Sequence, residues 1–135
     1  MLNYLWAGMT LTGILWGALH GQMTAVTDGA IQASKEAVTL CITILKKLKY
    51  LHDRNIILGD INPNNILVVS PTEVYFVDTD SYQIEGFPCP VGTINFTAPE
   101  IQRKDFSTFL RTIGNERFAV ATLLFMIMLP GKPPH

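Results

Sequence analysis

Two apolar runs constrain this chain more than any other feature: Ile66-Leu67-Val68-Val69 and Val74-Tyr75-Phe76-Val77, separated by Ser70-Pro71-Thr72-Glu73. Beta-branched and aromatic residues bounded by turn formers predict two short strands closed into a hairpin. A loop stiffened by Pro63 leads directly into the first run and carries Asp60 and Asn65, five positions apart, while Asp78 follows directly on the second. The hairpin therefore delivers three oxygen-bearing side chains to one place. Ile56-Ile57-Leu58, just ahead of the loop, predicts a further short strand.

These residue types suit one chemistry. Transfer of a phosphoryl group asks the protein mainly to position a nucleophile and to hold Mg²⁺ against phosphate oxygens. Magnesium takes few protein oxygens and keeps several waters, which fits one carboxylate and one amide carbonyl. Asp78 and Asn65 are the candidate pair. Asp60 is then left as general base for the attacking hydroxyl, a role worth roughly 10²–10⁴-fold.

With these residues in view, the chain resembles the protein kinases. Asp60 to Asn65 is similar to the D-x-x-x-x-N catalytic loop, Asp78 stands where the D-F-G aspartate is expected, and Ala98-Pro99-Glu100 resembles the A-P-E motif. Gly92 and Thr93, with Phe96 beyond them, resemble the segment that shapes the substrate site. D-x-x-x-x-N alone occurs often by chance, but the four motifs in this order are a specific pattern. The resemblance implies an α+β fold, a protein kinase-like C-terminal lobe that is mainly helical with short β-hairpins at the catalytic loop. It implies ATP and Mg²⁺ as cofactors and a protein serine or threonine as substrate. Asp60 becomes the catalytic base, and Asn65 and Asp78 become the ligands of metal and cofactor. Asn62, Thr93, Ala98, Pro99, Glu100 and Glu116 take structural parts around the substrate loop.

The departures point to a divergent, bacterial branch. Leu58-Gly59 replaces His-Arg, Asn62 stands where a phosphate-contacting lysine is common, and Thr79-Asp80 replaces Phe-Gly. Without an arginine at Gly59, that position offers nothing to pair with an activation-segment phosphate. Two other readings stay open. The aminoglycoside-kinase type of small-molecule phosphotransferase has H-G-D-x-x-x-x-N and I-D-x-D motifs, similar to Leu58-Gly59-Asp60 through Asn65 and to Val77-Asp78-Thr79-Asp80. A non-catalytic, pseudokinase-like interaction module is the other.

The resemblance covers residues 31–135 and corresponds to the first half of the C-terminal lobe. No G-x-G-x-x-G loop and no V-A-I-K lysine is present in the sequence. An absent N-terminal lobe predicts a truncated domain with base and metal ligands, no nucleotide clamp and no turnover by itself. Lobe surfaces stripped of their usual cover would be apolar and prone to self-association. Glu100 would lack the arginine that the family normally supplies, and were it buried unpaired that would cost a few kcal/mol or raise its pKa.

Around this centre the sequence predicts helices. Residues 31–52 repeat apolar side chains at three and four positions, with lysines crowding the last turns, where the helix dipole favours positive charge. His52, at the end, is expected to pack and hydrogen-bond locally, since Asp60 already fills the base role. The activation segment is expected over 80–100, with Tyr82 and Thr93 hydrogen-bonded within it. A short helix and a loop are expected over 101–111. Residues 116–129 are apolar on nearly all sides and predict a buried helix. The resemblance implies that Glu116, nearest the position of the family's aspartate at the start of this helix, holds the catalytic-loop backbone. The final Gly131-Lys132-Pro133-Pro134-His135 is a turn signal.

Residues 1–27 contain no Asp, Glu, Lys or Arg, so residues 1–30 read as a separate apolar segment of unassigned role. Residues 1–19 are barely long enough to span a bilayer and lack the basic flank of a signal peptide, so a membrane-associated chain is the lesser alternative to a cytoplasmic one. With 10 basic against 11 acidic residues and no basic run, the 135-residue chain has no electrostatic case for nucleic acid. Cys41 and Cys89 read as a buried helix thiol and a loop thiol in a reducing compartment. Asn95-Phe96-Thr97 matches a glycosylation sequon that nothing else in the sequence supports.

Overall fold

The structure, a computed structural model, describes residues 2–129 and Pro134. The closing turn predicted over 131–135 thus lies, but for Pro134, outside the described residues. The chain divides into two compact units, 1–36 and 37–135. Among the described residues the longer elements are three α-helices and one hairpin, joined through short 3₁₀ turns and consistent with an α+β chain that is mostly helical: α1 (Leu2–Leu19), α2 (Met23–His52), β1 (Ile66–Ser70), β2 (Glu73–Phe76) and α3 (Ile113–Met128).

In the first unit, the chain turns out of α1 at Gly21, two residues past its last residue Leu19, with a φ of 70°, the left-handed conformation that glycine adopts most readily. The Gln22 N–H then closes back on the Gly17 carbonyl at 2.7 Å. A Cβ at Gly17 would fall 2.9 Å from a Val26 methyl, so the small residue lets the two helices meet. Tyr4, Trp6, Leu15, Trp16 and Leu19 of α1 are exposed. No described helix is long and apolar enough to cross a membrane.

In the second unit, α2 contributes Cys41, Ile44 and Leu48 at three- and four-residue spacing, all buried. Asn55, with φ of 56°, turns the chain out of the helix, and the Ile56 N–H returns to the Leu51 carbonyl at 3.0 Å. Ile44 and Leu48 pack with Leu58, Ile61 and Val74, and α3 closes the same core with Ala119, Val120 and Leu123. The strands are antiparallel, with Leu67 opposite Tyr75 and Val68 opposite Val74, and a bulge between Val68 and Ser70. Val74 is wholly buried. The Thr43 hydroxyl, donating to the Pro71 carbonyl at 2.8 Å, pins the hairpin turn onto α2.

Several boundaries differ from the sequence reading. Helix α2 starts at Met23 rather than at residue 31, because its first turns lie outside the apolar periodicity and carry exposed side chains. Residues 56–58 form no strand; a single bridge joins Ile57 to Gln83 before Gly59, at φ of 78°, turns the chain away. Over 101–111 the chain makes 3₁₀ turns at Pro99–Ile101 and Phe106–Thr108 in place of a helix. Arg103 in the left-handed region, and the Asp105 carboxylate capping the Ser107 N–H at 3.0 Å, break it there. Helix α3 begins at Ile113 through a reciprocal cap between Thr112 and Asn115 and ends at Met128. It is buried along one face, while Phe125 and Met128 are exposed, since apolar residues all round a helix do not by themselves supply cover on every side.

Candidate functional site

The loop from Leu58 to Asn65 is held from beneath by one acid. Glu116, 3% exposed, accepts the Leu58 N–H at 3.2 Å and a His52 Nε2 hydrogen bond at 2.8 Å on one oxygen, and the Gly59 N–H at 3.0 Å on the other. Its first-turn position on α3 suits a carboxylate. His52 therefore does not bond locally. It reaches an acid 64 positions away and helps satisfy it in the core.

Asp60 is met from three directions. Its Oδ1 accepts the Thr93 N–H at 2.7 Å and the Thr93 hydroxyl at 2.8 Å, and its Oδ2 accepts from Asn65 Nδ2 at 3.2 Å. The same Asn65 nitrogen bonds the Asp60 carbonyl at 2.9 Å. Since the amide nitrogen faces Asp60, the Asn65 carbonyl oxygen is the end suited to a cation. Asn62, 5% exposed, folds the loop with its side-chain oxygen on the Asn64 N–H at 2.9 Å, and its nitrogen reaches the Thr93 hydroxyl at 3.2 Å. The Thr93 N–H and hydroxyl thus bond to the Asp60 loop, while its carbonyl accepts within its own segment, from the Phe96 N–H at 2.9 Å.

Asp78 stands across the hairpin. The Val77 N–H bonds the Asn65 carbonyl at 3.0 Å, so Asp78 leaves the strand beside the loop. Its φ of 60° is left-handed, a conformation that aspartate tolerates better than most residues. A hydrogen bond with Asp80, the repulsion of that second carboxylate and, more weakly, Asp60 hold the Asp78 carboxyl above its ordinary range. Among the described residues no three His, Cys, Asp or Glu side chains converge on a common point. The donor set on offer is one exposed carboxylate, its acidic neighbour and an amide oxygen. That set fits Mg²⁺, which needs few protein ligands. Behind it the Tyr82 hydroxyl is buried with no hydrogen-bond partner among the described residues, and burial, then Glu116 and Asp78, pushes its pKa up to about 12. Tyr82 was expected to bond within the segment; its hydroxyl instead packs against the core.

The remaining segment is pegged from below. The Thr97 hydroxyl donates to the Thr93 carbonyl at 2.9 Å, and Gln102 Nε2 to the Thr97 carbonyl at 2.9 Å. Ala98 is buried and Pro99 opens the next 3₁₀ turn. Glu100 is neither buried nor unpaired: exposed at the surface, it accepts from Asn115 Nδ2 at 2.7 Å. The tight start of α3 supplies that partner.

Arg111 and Gln83 escaped the sequence reading. Gln83 accepts the Arg111 N–H at 2.7 Å and donates to its carbonyl at 2.9 Å, both atoms buried. The Arg111 guanidinium donates to the carbonyls of Gly59 and Val91, beside the fully buried thiol of Cys89. Burial lowers the pKa of Arg111 and raises that of Cys89. The available signal was Gly59 and Gly92, two glycines flanking the motifs.

No family model matches the chain. Curated proteins do. Protein kinase YegI of Escherichia coli strain K12 is 33% identical over 90 residues, 63% of this chain and 14% of that protein. Serine/threonine-protein kinase PknG of Mycobacterium leprae is 32% identical over 108 residues, 73% of this chain and 14% of that one. Serine/threonine-protein kinase PAK 5 of Rattus norvegicus is 27% identical over 123 residues, 85% and 16% of the two chains. The chain spans less than a fifth of the length of these curated relatives.

Proposed function

We propose, the chain being a partial protein kinase-like domain, that it is the catalytic part of a kinase C-terminal lobe. In the complete fold it transfers the terminal phosphoryl group of ATP to a serine or threonine hydroxyl of a protein. Asp60 orients that hydroxyl and accepts its proton, while Asn65 and Asp78 hold the metal. When bound there, Mg²⁺ would supply neutralisation of the phosphate charge. Glu116 and Thr93 keep the Asp60 loop in place during the transfer, so that little reorganisation is left to the reaction.

The observation that carries this reading is the convergence on Asp60. Donors from Asn65 and from Thr93, 33 positions away, meet its carboxylate, and Glu116, 57 positions from Gly59, holds the adjoining peptide. An interaction module has no need of half-buried polar groups gathered on one half-buried acid. The Asp78–Asp80 pair favours a second reading, a phosphotransferase acting on a small molecule.

Manganese titration followed by electron paramagnetic resonance, with a non-hydrolysable ATP analogue present, tests the metal site on this chain. Asp78→Asn and Asn65→Ala are each expected to weaken Mn²⁺ binding by about 10–100-fold, at least the effect of losing an outer-shell partner. Glu100→Gln should leave it unchanged. Wild-type chain binding no better than the Asp78→Asn, Asn65→Ala double variant would sink the phosphotransfer reading in favour of an interaction module. Phosphate incorporation into aminoglycosides and into a generic protein, abolished by Asp60→Ala, separates the two enzymatic readings in a protein carrying the nucleotide clamp.

A further inference from the structure

Arg111 belongs to no motif, yet it is 5% exposed and its guanidinium ties two separate segments together. Nη1 donates to the carbonyl of Gly59, the residue before Asp60. Nη2 donates to the carbonyl of Val91, two residues before Thr93, whose N–H and hydroxyl both rest on Asp60 Oδ1. Both sides of the Asp60–Thr93 contact are therefore gripped by one side chain.

The surroundings are shaped to admit it. A Cβ at Gly92 would fall 2.8 Å from Nη2, and one at Gly59 would fall 3.1 Å from Nη1. Phe106 covers the guanidinium at 4.3 Å from its ring centroid, and Gln83 clamps the Arg111 backbone on both its N–H and its carbonyl. A cation buried in this way costs desolvation free energy that an apolar side chain of the same size avoids. The planar fork, with two donors in fixed directions, is what such a side chain lacks and what a lysine cannot reproduce.

We infer that Arg111 is a positioning residue, a cation built into the chain that clamps segment 89–93 to the peptide ahead of Asp60 and so seats Thr93 on the Asp60 carboxylate without a phosphate on the segment. The inference rests on the reading of Asp60 as the base, because only then does the seating govern a reaction. It also answers the absence of an arginine at position 59: a guanidinium does reach that position, from 52 residues further along the chain.

Amide hydrogen exchange, followed by NMR on the whole chain before and after phosphatase treatment, tests it. In Arg111→Lys and Arg111→Met the Thr93 amide is expected to exchange about tenfold faster or more, while the core amides of Ile44 and Leu123 stay within about twofold of wild type. Wild-type protection of Thr93 should be the same on both sides of the phosphatase step. Should the Arg111 variants fail to fold, Gly92→Ala decides, since its Cβ pushes on Nη2 and keeps the charge; Thr93 should again exchange selectively faster. Thr93 moving only in step with the core amides, staying protected in Gly92→Ala, or losing protection on phosphatase treatment would overturn the clamp. Manganese binding measured on the same samples keeps the two ideas apart. No binding in wild type removes the phosphotransfer reading and leaves the clamp, whereas bound Mn²⁺ with an unprotected Thr93 removes the clamp alone.

Discussion

The Asp60 carboxylate accepts hydrogen bonds from the Thr93 N–H, the Thr93 hydroxyl and the Asn65 amide, whereas the chief neighbour of the Asp78 carboxylate is another carboxylate, Asp80. Both acids flank the same hairpin. One is embedded in three donors that come from two parts of the chain, and the other stands exposed, on a left-handed backbone, against a like charge. The difference follows from their tasks in the proposed reaction. A base must be held in one direction, which the chain's own donors do. A metal ligand keeps its lone pairs for the cation, and a second acid beside it favours divalent charge. Removing a polar group should therefore destabilise the chain on the loop side and relieve it on the Asp78 side.

The largest expected effect is at Glu116. Glu116→Ala leaves the Leu58 and Gly59 N–H groups without an acceptor in the core, at a cost of about 3 kcal/mol or more. For a unit of this size that lowers the thermal midpoint by about 10–20 °C. Circular dichroism melting measures it, and a midpoint within a few degrees of wild type would mean that the loop is held by something else. Gly59→Ala comes next. Its Cβ would lie 2.4 Å from Cys89 Sγ on a backbone at φ of 78°, two faults that together cost about 2–3 kcal/mol. Chemical denaturation of the variant checks this; an unchanged midpoint would deny the loop its rigidity.

How far these features could be read in the sequence depends on how local their causes are. Asp60, Asn65 and Asp78 were placed by two strand-forming runs and a turn, all within twenty residues, and the hairpin formed close to where the pattern set it. Glu116 was legible through the kinase resemblance, since it heads the apolar run at the position where that family carries an acid. Arg111 and Gln83 lie in stretches with no period, and their contacts cross 20 to 52 positions. In one dimension each is simply a polar loop residue. The start of α2 was illegible for another reason: its first turns bury little beyond Val26, which meets α1, so no periodicity marks them. The bridge at Ile57 reads as a strand in the sequence because apolar composition does not reveal that Gly59 ends the pairing.

On the Asp78 side the effects are smaller and of opposite sign. Tyr82→Phe removes a buried hydroxyl without a partner among the described residues, so at neutral pH the variant should be as stable as wild type or more stable by at most about 1 kcal/mol. The folded chain keeps this phenol protonated up to about 12, against 10.0 for a free one, so the folded state binds the proton more tightly than the unfolded state. That contribution is whole below pH 10 and drains away as pH rises towards about 12. Melting curves across that window should fall less steeply in Tyr82→Phe. An identical alkaline decline in both chains would mean that the ring is not buried.

The smallest effect is at Asp78, and its sign is the sharpest contrast with Asp60. Asp80, and then Asp60, hold the Asp78 carboxyl above its ordinary 3.8, so the folded state binds this proton more tightly than the unfolded one. Stability from that source is present at low pH and is lost as pH rises through the raised value. In a buffer with a chelator, Asp78→Asn should therefore melt slightly above wild type at neutral pH, and the gap should close as pH falls through 3.8. Asp60→Asn, which converts an acceptor of three donated hydrogen bonds, should melt below wild type under the same conditions. If Asp78→Asn melted lower as well, Asp78 would be held as Asp60 is, by donors rather than against a like charge. The division of the site into a positioned base and a cation-facing acid would then fail, because a carboxylate already satisfied by the chain has little to gain from a metal.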